Sequence, residues 1–298
     1  MTLAALPASR SSPARAIVCM TAAVALFTIM DGFIKWLGNA GYPTMQLVFF
    51  RSLFAFLPLS VVLFRGPWRQ QLVTRRPWTH LVRCLAGLCA MAGFFYSYSV
   101  MPLADAIAIG FAAPIFITAL SVPLLGEKVG IRRWTACLVG FVGVLIIVQP
   151  GPGLLQSGAL VALGATVCYA MAAILVRRLS RSDSNVAIVF YFTLCTTLVS
   201  AGFLPWQWVR PDWTDLGLLI MLGLLGGTAQ LFMTEAFRHG EVGLIMPFEY
   251  TAMIWSVGIG YFVWQEIPGL PVWLGSALVI ASGLYIVYRE TYLRKSGG

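Results

Sequence analysis

The sequence predicts an all-α membrane protein of ten transmembrane helices, arranged as two inverted five-helix repeats with both termini in the cytoplasm. Three observations carry that expectation. Of 298 residues, 59% are hydrophobic and only 10% charged, against about 25% charged in a soluble domain. The apolar residues fall in ten continuous stretches, each close to the roughly 20 residues that cross the hydrocarbon layer. The basic residues crowd into alternate loops, which sets orientation.

Taken in order, the stretches are 16–37, 44–64, 78–100, 103–124, 131–149, 156–177, 186–204, 214–237, 242–263 and 270–289. The first follows Arg10 and Arg15. It is long enough to span, and no small-residue cleavage site precedes a polar region, so it is expected to be a membrane helix and not a removable leader. Connections are short and carry Pro or Gly: Gly41-Tyr42-Pro43, Met101-Pro102, Gly126, Pro150 to Gly153, and Pro268-Gly269. Residues 1–15 and 291–298 read as cytoplasmic tails, 16–150 as the first repeat and 151–290 as the second. The runs are continuous in polarity, which excludes the alternating strands of a membrane β-barrel.

The tail and every second loop hold the cations: Arg10 and Arg15; Arg65, Arg69, Arg75 and Arg76; Lys128, Arg132 and Arg133; Arg177, Arg178 and Arg181; Arg238; Arg289, Arg294 and Lys295. Arg210 is the main exception. Positive loops face the cytoplasm, so an even number of spans follows. Trp36, Tyr42, Trp68, Trp78, Trp134, Trp206, Trp208, Trp213, Trp264 and Trp273 lie near span ends, as interfacial aromatic belts do.

Leu125-Gly126-Glu127 precedes Trp134 as Trp264-Gln265-Glu266 precedes Trp273, at an offset of 139 (266 − 127). Phe27 and Lys35 match Tyr169 and Arg177 at an offset of 142. Each half has five spans. Two like halves with an odd number of spans lie upside down relative to one another, which is a transporter signature.

The net charge of +9 does not point to nucleic acid, because the cations sit in loops between membrane stretches. Cys19, Cys84, Cys89, Cys137, Cys168 and Cys195 all lie in apolar stretches without a CxxC pair, so no metal or redox site is expected. His80 and His239 head no HxxxxD pattern, and neither HExxH nor a P-loop occurs; an enzyme is not expected. The loops are too short for a sensor's signalling domain. A channel is set apart from a carrier by saturable counterflow.

At this point the chain resembles the drug/metabolite transporter superfamily, in its ten-helix EamA type. The resemblance covers about 16–289 and rests on several short motifs in order. They are Phe49-Phe50-Arg51, Ala104-Asp105-Ala106, Ala113-Pro114-Ile115-Phe116, Gly126-Glu127, Gly140-Phe141-Val142-Gly143-Val144, and Pro247-Phe248-Glu249-Tyr250 with Glu266. Within the superfamily it is similar to riboflavin or S-adenosylmethionine uptake carriers, with amino-acid or drug exporters of the same fold as the alternative. The resemblance implies alternating access to a small organic solute in the inner membrane, coupled to a proton or an exchanged solute, with no cofactor, metal or nucleic acid. It leaves monomer and homodimer open.

An ionisable group at membrane depth costs about 2.5–3.5 kcal/mol on insertion scales, so each is a functional candidate. Arg51 in the second stretch is expected to bind an anionic or carbonyl group, and Glu249 in the ninth a donor or a proton. Asp31 in the first joins them if spans one, two and nine line one cavity. The competing expectation is a structural ion pair of Arg51 with Asp31 or Glu249, or an i,i+4 pair of Asp31 with Lys35. The repeat mate of Arg51 is Phe192, at an offset of 141. Tyr250, Gln230 and Tyr98 are further candidate contacts, and Phe94, Phe95, Tyr96 and Tyr98 form an aromatic run suited to a planar solute. Pro114 and Pro247 are expected to break spans four and nine at the binding site. Glu235 and Asp105 read as span-end residues, and Glu127 and Glu266 as helix caps or partners of loop arginines.

Overall fold

The computed structural model describes residues 13–74, 76–125, 131–148, 157–179, 182–239 and 246–296. Arg10, Arg75, Gly126, Glu127, Lys128, Arg181, the Pro150 to Gly153 break and the first residues of the ninth stretch lie outside these.

The described residues are almost wholly helical. In chain order the helices are α1 (Pro13–Asn39), α2 (Thr44–Leu63), α3 (Trp68–Gln71), α4 (Pro77–Val100), α5 (Leu103–Gly110) and α6 (Ala113–Leu125). They continue as α7 (Ile131–Val148), α8 (Ser157–Leu179), α9 (Asn185–Phe203), α10 (Trp213–His239), α11 (Ala252–Trp264) and α12 (Leu270–Ser296). Single 3-10 turns stand at Leu204–Trp206 and Met246–Thr251. Among the described residues, seven helical segments are long and apolar enough to cross a membrane: α1, α2, α4, α5 with α6, α8, α9 and α10. The apolar parts of α7 and α12 are shorter, and α11 has 13 residues. The protein is a multi-pass membrane protein.

Local chemistry sets the ends. Pro43 and Pro102, extended in backbone, precede α2 and α5 and cannot continue a helix from the N-terminal side. Ser184 caps α9 by accepting the Ala187 N–H at 3.0 Å. Gln265, at φ 58° in the left-handed region, ends α11 and turns the chain towards α12. The small helix α3 was not expected; Pro67 starts it in the loop after α2.

Two of the expected spans are broken. The fourth divides between α5 and α6 at Phe111 and Ala112, directly before Pro114. The described part of the ninth starts with the 3-10 turn containing Pro247, Glu249 and Tyr250 and becomes α11 at Ala252. The restarts at Ala113 and Ala252 are separated by 139 (252 − 113), the offset of the Glu127/Glu266 match.

Packing repeats the pattern. Helix α1, the first span, lies chiefly on α10, the eighth, while α4, the third, lies chiefly on α8, the sixth. Exchanging the halves converts one pair into the other. Helices α2 and α9 pack on each other, as do α7 and α12. Small residues allow the close approaches, as in other membrane bundles. A Cβ on Gly143 would stand 2.8 Å from the Gly275 carbonyl oxygen, so α7 and α12 touch backbone to backbone. Gly223 and Gly227 similarly admit Phe54 and Pro58 of α2. These glycine faces serve contacts within the chain.

Most tryptophans near span ends are exposed, with Trp206 at 81% and Trp213 at 89%. Tyr42 departs from that belt: it is buried, and its hydroxyl donates to Asp215 at 2.7 Å.

At the expected cytoplasmic end, His80 Nε2 donates to the buried Asp183 carboxylate at 2.8 Å. Burial opposes ionisation of Asp183, but hydrogen bonds from Thr74, His80 and Ser182 outweigh it and hold the carboxyl below its usual range. A carboxylate depressed in the folded state contributes stability above its unfolded pKa and loses it as pH falls. Thermal stability in detergent is therefore expected to decline below about pH 4. Asp183→Asn should flatten that decline.

Candidate functional site

Several charged residues lie inside the helices. Asp31 on α1 and Arg51 on α2 are both buried. The Tyr98 hydroxyl on α4 faces the Asp31 carboxylate, and the Arg51 guanidinium lies within electrostatic reach of it. Among the described residues neither Arg51 nor Asp31 forms a salt bridge. The expected structural pairing of Arg51 with Asp31 or Glu249 is therefore not made. Arg51 Nε is buried without a hydrogen-bond partner.

A second buried arginine, Arg83 on α4, joins this group. It lies within electrostatic reach of Arg51. Its guanidinium carbon sits 3.8 Å from the centre of the Phe192 ring on α9, a cation–π contact. Its Nε and one terminal nitrogen are buried without hydrogen-bond partners. Tyr169 on α8 lies within reach of both Arg83 and Glu249. The group therefore runs from Asp31 and Tyr98 through Arg51 and Arg83 to Tyr169 and Glu249. The sequence reading contains neither Arg83 nor Tyr169 as a site residue. The signal for Arg83 was the one that marks Arg51, a cation several residues inside an apolar stretch.

Glu249 and Tyr250 lie in the 3-10 turn, each half-buried. The Tyr250 ring meets Phe111 edge-on at 5.2 Å. Phe111 stands at the other helix break, again at a separation of 139 (250 − 111). The two interruptions thus meet at repeat-related residues. Gln230 is half-buried on α10. In the aromatic run, Phe94 and Tyr98 stack at 6.0 Å and 21°, Phe95 is buried in the core and Tyr96 is exposed.

The i,i+4 pair of Asp31 with Lys35 does not form. Lys35 Nζ instead donates to both Glu266 oxygens at 2.6 and 2.8 Å and to the Met101 carbonyl at 3.0 Å. Glu266 belongs to the α11–α12 turn and reaches a membrane lysine rather than a loop arginine. Its position also faces the α5 N-terminus, where the Leu103 N–H donates to it at 3.4 Å. The competition is decided by reach, since Glu266 accepts two bonds from one ammonium while Asp31 is turned towards Tyr98. Asp105 is half-buried beside this pair, with one carboxylate oxygen lacking a partner. Glu235 fits its expected span-end role, accepting from Arg15 at 2.8 Å. Among the described residues no group of His, Cys, Asp and Glu is arranged to hold a metal.

The EamA-like transporter family model matches the chain twice, over residues 14–149 and 156–288. The chain is 28% identical to an S-adenosylmethionine uptake transporter of Rickettsia prowazekii, over 88% of this chain and 89% of that protein. It is 26% identical to a riboflavin transporter of Rhizobium johnstonii, over 93% of each. It is also 31% identical to a pseudopaline exporter of Pseudomonas aeruginosa, over 88% and 89%. A crystal structure at 18% identity superposes with a TM-score of 0.65, covering 92% of this chain and 96% of its own; at that identity the likeness concerns fold. Two matches that together span nearly the whole sequence, on a helical membrane fold with paired helix breaks, decide the family: the chain belongs to the EamA-like transporters.

Proposed function

We propose that this small-metabolite transporter works as a secondary-active, alternating-access carrier around the charge cluster between its two broken spans. The observation that carries the reading is the meeting of the two breaks at Phe111 and Tyr250, next to Glu249 in the same 3-10 turn. Discontinuous helices at repeat-related places mark binding sites in such carriers. The double family match and the exchangeable helix pairs support ten spans in two inverted repeats, 16–150 and 151–290. The basic loops support cytoplasmic termini in the inner membrane.

With that orientation the Lys35–Glu266 pair stands at the outer end and holds α1, the α4–α5 junction and the α11–α12 turn together. This conformation is then the one closed to the outside. Opening outward requires that pair to part. S-adenosylmethionine or a riboflavin-like vitamin is the favoured cargo, by likeness to the uptake carriers. The Phe94–Tyr98 stack suits the flat ring system that both possess. Exchange or a proton would supply the coupling, with Glu249 as the group that takes the proton.

Counterflow in proteoliposomes tests the reading with labelled S-adenosylmethionine, riboflavin and an amino-acid panel. Saturable counterflow of one compound, lost in Glu249→Gln at unchanged folding, is expected. Flux that rises linearly with concentration would make the protein a pore and overturn the carrier reading.

A further inference from the structure

The glycines around the cluster show how the two arginines are seated. A Cβ on Gly226 of α10 would stand 2.8 Å from Arg51 Nε. A Cβ on Gly87 of α4 would stand 2.7 Å from Cε2 of Phe192 and 3.5 Å from Nη1 of Arg83. Gly87 and Gly226 are separated by 139 (226 − 87), and Arg51 and Phe192 by 141 (192 − 51). The contacts are therefore counterparts. In one half a glycine admits Arg51; in the other a glycine admits Phe192, and the missing cation is supplied one helical turn earlier on α4 by Arg83, laid on the Phe192 ring.

Two buried guanidinium groups thus stand at the two counterpart contacts, Arg51 directly against its glycine and Arg83 by way of the Phe192 ring. Arg51 keeps its Nε, and Arg83 its Nε and one terminal nitrogen, buried without partners, and among the described residues neither forms a salt bridge. Like charges held together away from water, with unused donors, are costly unless an anion completes them. A guanidinium fork matches a carboxylate in shape and charge. Asp31 lies within reach of Arg51, and Glu249 within reach of Tyr169, which in turn neighbours Arg83; these carboxylates suit a cation on the same solute.

Resting on the carrier reading above, we propose that Arg51 and Arg83 together bind the carboxylate of the transported solute, which is a metabolite of amino-acid type carrying both a carboxylate and a positive group. S-adenosylmethionine has both features; riboflavin has no carboxylate. Arg83 sets the preference for the charged end, and the glycines at 87 and 226 hold the two forks at the right depth.

Matched pairs of compounds test this: S-adenosylmethionine against its decarboxylated form, and methionine against the corresponding amine. Each would be read by thermal stabilisation of the purified full-length protein and by counterflow. The carboxylate member is expected to bind about 30-fold more tightly, the loss of a charge-assisted contact. Arg83→Gln should compress that ratio to within about threefold, and Arg83→Lys should restore part of it, because lysine keeps the charge without the fork. Counterflow of any solute that ignores the carboxylate overturns this inference and leaves the carrier standing. Carboxylate-selective stabilisation without counterflow supports the site and overturns the carrier. Neither stabilisation nor counterflow across both pairs and riboflavin overturns both.

Discussion

Arg51→Met should lower counterflow by roughly 10- to 100-fold, because a hydrogen bond to a charged group is worth about 1.5–3 kcal/mol. It should not lower the melting temperature. Methionine keeps most of the apolar stem that lies against Gly226 and removes a charge whose burial costs about 2.5–3.5 kcal/mol on insertion scales. Stability is therefore expected to hold or rise as transport fails. A structural ion pair predicts the reverse, since removing one partner would strand a buried carboxylate. Fluorescence-monitored melting beside counterflow separates the two outcomes; a lowered melting temperature would assign Arg51 to the scaffold.

Glu266→Gln should be the most destabilising of the single changes considered. Lys35 is 5% exposed at its side chain, and Glu266 is 28% exposed. Removing the carboxylate leaves a buried ammonium with the Met101 carbonyl, the Trp264 ring 5.1 Å away and the half-buried Asp105 beside it to compensate. Breaking a buried pair in this way costs about 3–5 kcal/mol. Lys35→Met should cost less, because the stranded carboxylate already reaches water. The double substitution should recover part of the loss. Melting curves of the three variants check this order; equal losses from both single changes would show that the pair's burial is not what matters.

Composition and basic-loop spacing made the helical membrane fold legible in the sequence. The helices α1, α2, α4, α8, α9 and α10 lie within a few residues of the stretches assigned to them. The breaks were legible through Pro114 and Pro247, although the fourth span parts at Phe111 and Ala112, before its proline. Partner choice was not legible. Asp31 and Lys35 are correctly spaced to pair along one helix, yet a carboxylate 231 residues away wins because the turn after α11 delivers it to the ammonium. No local rule reports such long-range competition. Arg83 was visible in principle, as a cation inside the third stretch. Its meaning comes from Phe192, which only the fold brings beneath it.

The matched glycines separate what this scaffold keeps constant from what it leaves open to change. Each provides a shallow notch of fixed depth, and neither dictates the chemistry of the side chain that fills it: one holds a guanidinium, the other a phenyl ring. Exchanging the occupant of a notch would alter the polarity offered to the cargo without repacking the surrounding helices. If the proposed site holds, selectivity becomes a property of two interchangeable plugs and the neighbour lent to one of them, set apart from the backbone that carries them.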